Sequence, residues 1–149
     1  MTRRRIAIVS GVAVFLLVSF LLALWLTGDT RERSRVVDLL RSQARGDVPG
    51  MLAQIDGCAS RPACRAQVAA NAQTLRRAGR VRILDYRSAT SKAIAADAGL
   101  TRVAWDAGLQ SLPVVQCVRI ERRGLPILGG KIVIVSIGPK IRGDAACSR

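Results

Sequence analysis

The sequence predicts an α+β domain outside the cytoplasm, held behind an N-terminal transmembrane helix. Three observations predict it. An uncharged apolar run opens the chain, apolar residues then recur at helical spacing as far as Gly79, and β-branched segments punctuated by glycine follow. The 149 residues are 50% hydrophobic yet carry a net charge of +14, and mean hydropathy is +0.24. Such a balance concentrates the apolar residues in one place.

That place is 6–26, IAIVSGVAVFLLVSFLLALWL. A helix of this length matches the hydrocarbon thickness of a bilayer. Arg3, Arg4 and Arg5 in the 1–5 segment precede it and hold the N-terminus on the cytoplasmic side. Trp25 suits the far interface. The competing reading, a cleaved signal peptide, has an apolar region too long for it and lacks an A-x-A-like site after Leu26. The remainder is then expected as a domain over 29–138 and a tail over 139–149, outside the cytoplasm on a single-pass anchor.

The four cysteines, Cys58, Cys64, Cys117 and Cys147, all follow the apolar run. In an oxidising compartment an even number reads as disulfides. Closing Cys58–Cys64 is entropically cheap, which leaves Cys117–Cys147 to tie the tail to a strand. Zinc needs closer pairs of the C-x-x-C type, so no metal site is expected.

Asp29 or Thr30 caps a first helix with Val36, Val37, Leu40 and Ala44 as its stripe, ended by Gly46. Asp47 caps a second, with Pro49 in its first turn and Met51, Leu52 and Ile55 buried; Gly57 ends it. Ser60 caps a third, with Pro62 in the first turn and Cys64, Val68, Ala72 and Leu75 buried; Gly79 stops it. Strands are expected from Val81 to about Ile94, Leu100 to Asp106, Leu112 to Arg122 and Lys131 to Ile137, with turns at 95–99, 107–111 and from Arg123, and Gly138-Pro139 as the stop. Short connections make the sheet an antiparallel meander. Alternation places Thr101, Val103 and Trp105 on one face, and sets Val114, Gln116, Val118 and Ile120 against Val115, Cys117, Arg119 and Glu121.

The helix-to-strand order, with VVDLLRSQARGDVPGMLAQI, the CASRPAC step, TRVAWDAG and VVQCVRIERRG, resembles the NTF2-like (cystatin-like α+β) superfamily. It is also similar to small single-pass extracytoplasmic proteins of high-GC bacteria, in which an A-x-G-D step links the first two helices; here that step is Ala44 to Asp47. The resemblance implies three helices packed on a curled four-stranded meander, a cone. It also implies that a catalytic member would carry an Asp plus a His or Tyr inside the cone.

The chain has no histidine, which excludes Ser-His-Asp and Cys-His catalysis and His-ligated metals. Aromatics are 3%, too few for base-stacking platforms, so nucleic acid is not an expected partner. Phosphate-loop motifs are absent, and Gly129-Gly130-Lys131 reads as a turn entering a strand. Asp38, Asp85, Tyr86, Asp106 and Glu121 are the candidate acids and phenol. Asp38 reads as a solvated or arginine-paired group and Asp106 as turn chemistry. Glu121 belongs to an ion network with Arg119 and Arg123, and Asp85 and Tyr86 point to opposite strand faces, so both enter the cone only if a bulge intervenes. None forms an acid–base pair by spacing, so no catalytic residue and no cofactor are expected. Arginines crowd 61–87, and Arg76, Arg77, Arg80 and Arg82 are the expected contact with anionic surfaces. The expected function is a membrane-tethered, non-catalytic interaction module meeting an envelope protein, anionic lipid or wall polymer. The alternative is a small-molecule-binding or enzymatic cone.

Overall fold

The computed structural model describes residues 2–88, 98–108, 112–124 and 130–147, with side chains omitted at 2–7 and 24–29. Helix α1 runs Thr2–Arg45, α2 Val48–Gln54, a 3₁₀ turn Cys58–Ser60 and α3 Pro62–Thr74. Strands β1 Val81–Arg87, β2 Ala98–Ala107, β3 Val114–Arg123 and β4 Lys131–Ile141 follow. The strands form one antiparallel sheet in the order β1-β2-β3-β4, so the α+β class and the meander are as expected.

The N-terminal part is a correction. Among the described residues, no helix is long and apolar enough to cross a membrane. Nor does the run stand apart from the domain. Asp29 and Thr30, expected as a cap, lie inside α1, which continues unbroken to Arg45. Its N-terminal half exposes large apolar side chains, among them Phe15 at 71% and Phe20 at 62%. Its C-terminal half is the first helix of the domain.

That half ends where glycine permits. Gly46 adopts φ +74°. Its N–H donates to the Gln43 carbonyl, and the Asp47 N–H donates to the Ser42 carbonyl, each at 2.9 Å. This is the Schellman closure that only a left-handed residue allows cheaply. Asp47 then caps α2, its carboxylate accepting from the Gly50 N–H at 2.9 Å. The cap of α3 differs from expectation. It is Arg61, because Ser60 ends the 3₁₀ turn and donates its hydroxyl to the Gly57 carbonyl. α3 also stops at Thr74, before Gly79.

The core lies between the three helices and one sheet face. Val36, Leu39, Leu40, Met51, Cys58, Val68, Val103, Trp105 and Val118 have no exposed surface, and Ile120, Ile134 and Ile137 complete the cluster. Trp105 sits where strand alternation places it. Two irregularities interrupt the strand registers. A bulge at Leu84 shifts register between Ile83 and Asp85, so Tyr86, not Asp85, follows Val81 and Ile83 onto the helix side. In β4 the pairing skips Val135: Val118 faces Ile137, Arg119 faces Ser136 and Ile120 faces Ile134. The skip turns both Ile134 and Ile137 inward. Gly138-Pro139 does not end β4, which runs to Ile141. It is an edge strand, where a missing N–H is tolerated. Its inner end is tied to the helices through a bridge from Ile55 to Ile134 and the Asp56 N–H on the Ile134 carbonyl at 2.8 Å.

Both expected disulfides are formed. Cys58–Cys64 spans a Cα separation of 5.3 Å and Cys117–Cys147 one of 5.8 Å, inside the range the bond requires. They are the chemistry of an oxidising, extracytoplasmic environment. Cys117–Cys147 draws the tail across the outer sheet face, where Arg102 donates to the carbonyls of Gly143 and Ala145. Residues 89–97, 109–111 and 125–129 lie outside the described residues, and with them the extension of the first strand toward Ile94 and most of the three turns.

Candidate functional site: buried polar clusters and a basic groove

The candidate acids are dispersed, and ion pairs hold four of them. Asp38 pairs with Arg41 at 3.0 Å on the surface of α1. Asp85 points outward to Arg102 at 2.7 Å and Arg87 at 3.2 Å. Glu121 meets Arg123 at 3.4 Å and Arg119 at 4.0 Å, and Arg123 also reaches Asp56 at 2.8 Å.

Asp106 departs from the turn role. It is the direct cross-strand partner of Arg82 and takes both of its guanidinium donors, at 3.0 and 2.8 Å. Hydrogen bonding from Arg82 holds the Asp106 carboxyl below the usual carboxylate range. A depressed folded-state value stabilises the fold above the unfolded carboxyl's ordinary pKa, about 3.9. That contribution disappears as pH falls below it. Arg82→Gln should therefore be less stable than the wild type at neutral pH, with the gap closing below about pH 4. Denaturant midpoints across pH check this; a gap that stays constant through acid would mean Asp106 is not the linked group.

The four arginines expected at an anionic surface lie between the end of α3 and the start of β1. Arg82 is committed to Asp106. Arg77 donates its backbone N–H to the Ala44 carbonyl and its side chain to the Arg76 carbonyl, closing the end of α3 onto α1. The aliphatic stem of Arg76 lies beside Gly46. Arg80 is exposed at the entrance to β1.

Two buried polar clusters escaped the sequence. Glu32, fully buried, accepts from Tyr86 Oη at 2.7 Å, Thr101 Oγ1 at 2.9 Å and Ser88 Oγ at 3.0 Å. It joins α1 to β1 and β2 at one end of the core. At the other end Gln116 Oε1 accepts from Gln43 Nε2 at 2.8 Å and Trp105 Nε1 at 3.0 Å. Gln116 Nε2 donates to the Gly138 carbonyl at 2.9 Å, and Asn71 Nδ2 joins it there at 3.0 Å. No buried side-chain polar atom is unsatisfied among the described residues. The signal for both clusters is in α1: Glu32, Val36, Leu40 and Gln43 fall on one helical stripe, so the two polar members had to find interior partners. Glu32→Ala removes the common acceptor of three hydroxyls and should destabilise by about 2–3 kcal/mol. Glu32→Gln should cost less, because an acceptor oxygen remains. Urea midpoints of the two variants check the order, and equal midpoints would mean the charge carries the whole effect.

On the outside, α1 and the start of β4 enclose a groove. Arg31, Ser34, Arg35 and Asp38 line it from the helix, and Gly130, Lys131 and Ile132 from the strand. It leads into a second recess bounded by Ala53, Gln54 and Asp56. Among the described residues no group of His, Cys, Asp or Glu could hold a metal. No protein-family model, curated protein or solved structure matches this chain.

Proposed function

We propose that the domain is a non-catalytic interaction module of an extracytoplasmic compartment, acting through its outer surface. One observation carries the reading. The space between helices and sheet is filled by Trp105, Leu39, Leu40, Met51, Gln43 and Gln116, all fully buried, where a substrate-binding cone would be open. The helix-then-meander order supports an NTF2-like relationship. The fixed acids agree with it too, since carboxylates held by arginines and hydroxyls are poor proton shuttles. Partners of suitable chemistry are an envelope protein, an anionic lipid surface or a wall polymer.

The alternative, a small-molecule or enzymatic cone, draws on Glu32 with its three hydroxyl donors. In-cell crosslinking followed by identification of captured molecules tests the reading, with a reproducible macromolecular partner expected. Turnover of a small molecule by the purified chain, abolished by Glu32→Gln while the fold persists, would overturn it.

A further inference from the structure

We infer that the groove between α1 and β4 is a binding site for a phosphomonoester group, held by Arg31, Arg35 and Lys131 with the Ser34 hydroxyl. This rests on the reading that recognition lies on the outer surface. Arg31 and Arg35 stand four residues apart on α1, one above the other on the same face. Ser34 lies between them, and Lys131 enters from β4. The groove is open to solvent.

Its charge is one-sided for a specific reason. Asp38, the acid that lines the groove, is paired with Arg41 at 3.0 Å, and Asp56, in the adjoining recess, with Arg123 at 2.8 Å; neither arginine lines the groove. Arg31, Arg35 and Lys131 have no ion-pair partner among the described residues. Three cations and a hydroxyl thus line one groove whose carboxylate, Asp38, is already paired.

The donor set selects the ligand chemistry. Guanidinium groups bind phosphate through paired N–H donors, and a lysine adds a point charge. A carboxylate offers two oxygens, whereas a phosphomonoester offers three, with a charge of about −1.5 to −2 at neutral pH. Only the latter meets two guanidinium groups and an ammonium together.

Titration of the full-length oxidised chain with inorganic phosphate, followed by backbone amide NMR against chloride at matched ionic strength, tests the site. Saturable shifts are expected at Arg31, Ser34, Arg35, Gly130 and Lys131. Arg35→Gln or Lys131→Gln should weaken binding about tenfold, the effect of losing one charge-assisted contact. Arg76→Gln or Arg80→Gln, each of which removes one charge elsewhere, should leave it unchanged. Equal weakening by both sets of variants would reduce the site to general charge attraction and overturn the proposal, as would unsaturable shifts. Vesicles of phosphatidylcholine with and without phosphatidic acid identify the source of the ester. Binding that needs phosphatidic acid and the groove residues assigns a lipid headgroup; phosphate binding without vesicle binding assigns a soluble ester. Phosphate failing to bind would leave the Glu32→Gln turnover test intact, so the two readings fail separately.

Discussion

Trp105→Ala is expected to lower the unfolding free energy by roughly 3–5 kcal/mol, the range for deleting a large buried aromatic. The indole is fully buried near the C-terminal end of β2, and its loss has two parts. The first is a cavity between sheet and helices that Leu39, Leu40 and Met51 cannot close without moving α1 and α2. The second is polar: Nε1 no longer donates to Gln116 Oε1, which keeps only its bond from Gln43. Trp105→Phe separates them. It retains most of the apolar volume and removes the donor, and should cost about 1–2 kcal/mol. Urea unfolding of both variants checks the pair. A loss below about 1 kcal/mol for the alanine variant would mean that the helices repack over the site.

Removing the Cys117–Cys147 bridge by Cys117→Ser with Cys147→Ser should cost roughly 3–4 kcal/mol on the chain-entropy account, for a sequence separation of 30. The effect also has a location. Arg102, on the outer sheet face, holds the tail by two carbonyls, and the bridge fixes it to Cys117. Without the bridge, amide exchange should accelerate across 142–147 and at the β2–β3 register below it, while α2 and α3 keep their protection. Cys58–Cys64, separated by six residues, closes a smaller loop, and its removal should cost less. Equal losses for the two bridges would point to native-state packing, not chain entropy, as the source.

What the sequence makes legible is local. Asp47 caps and Gly46 ends a helix because side chain and backbone act within five residues. The 58–64 bridge is readable for the same reason. Strand alternation places Trp105, since a period of two survives any tertiary context that leaves the register intact. The bulge at Leu84 does not leave it intact, so Tyr86 turns inward against the pattern. Glu32 meets partners 54 to 69 residues away, and its arginine-flanked surroundings in T-R-E-R-S-R suggest solvent. The helical stripe through Val36 and Leu40 would have corrected that impression. Arg31 and Arg35 line one groove with Lys131, a residue that reads on its own as the end of a turn. The apolar opening of the chain was legible as composition, but its fusion to the first domain helix was not.

That fusion makes α1 a rod. Its 44 residues extend roughly 66 Å at about 1.5 Å per residue, and the helix passes through Gly28 without interruption. The angular phase of the exposed apolar half is therefore locked to that of Glu32 and Gln43 in the core. One residue inserted near Gly28 would turn the two halves by about 100° relative to each other, while seven would nearly restore the original facing. Torque applied to the apolar half would be delivered to both buried polar clusters and to the wall of the basic groove, because all three are built on the same cylinder.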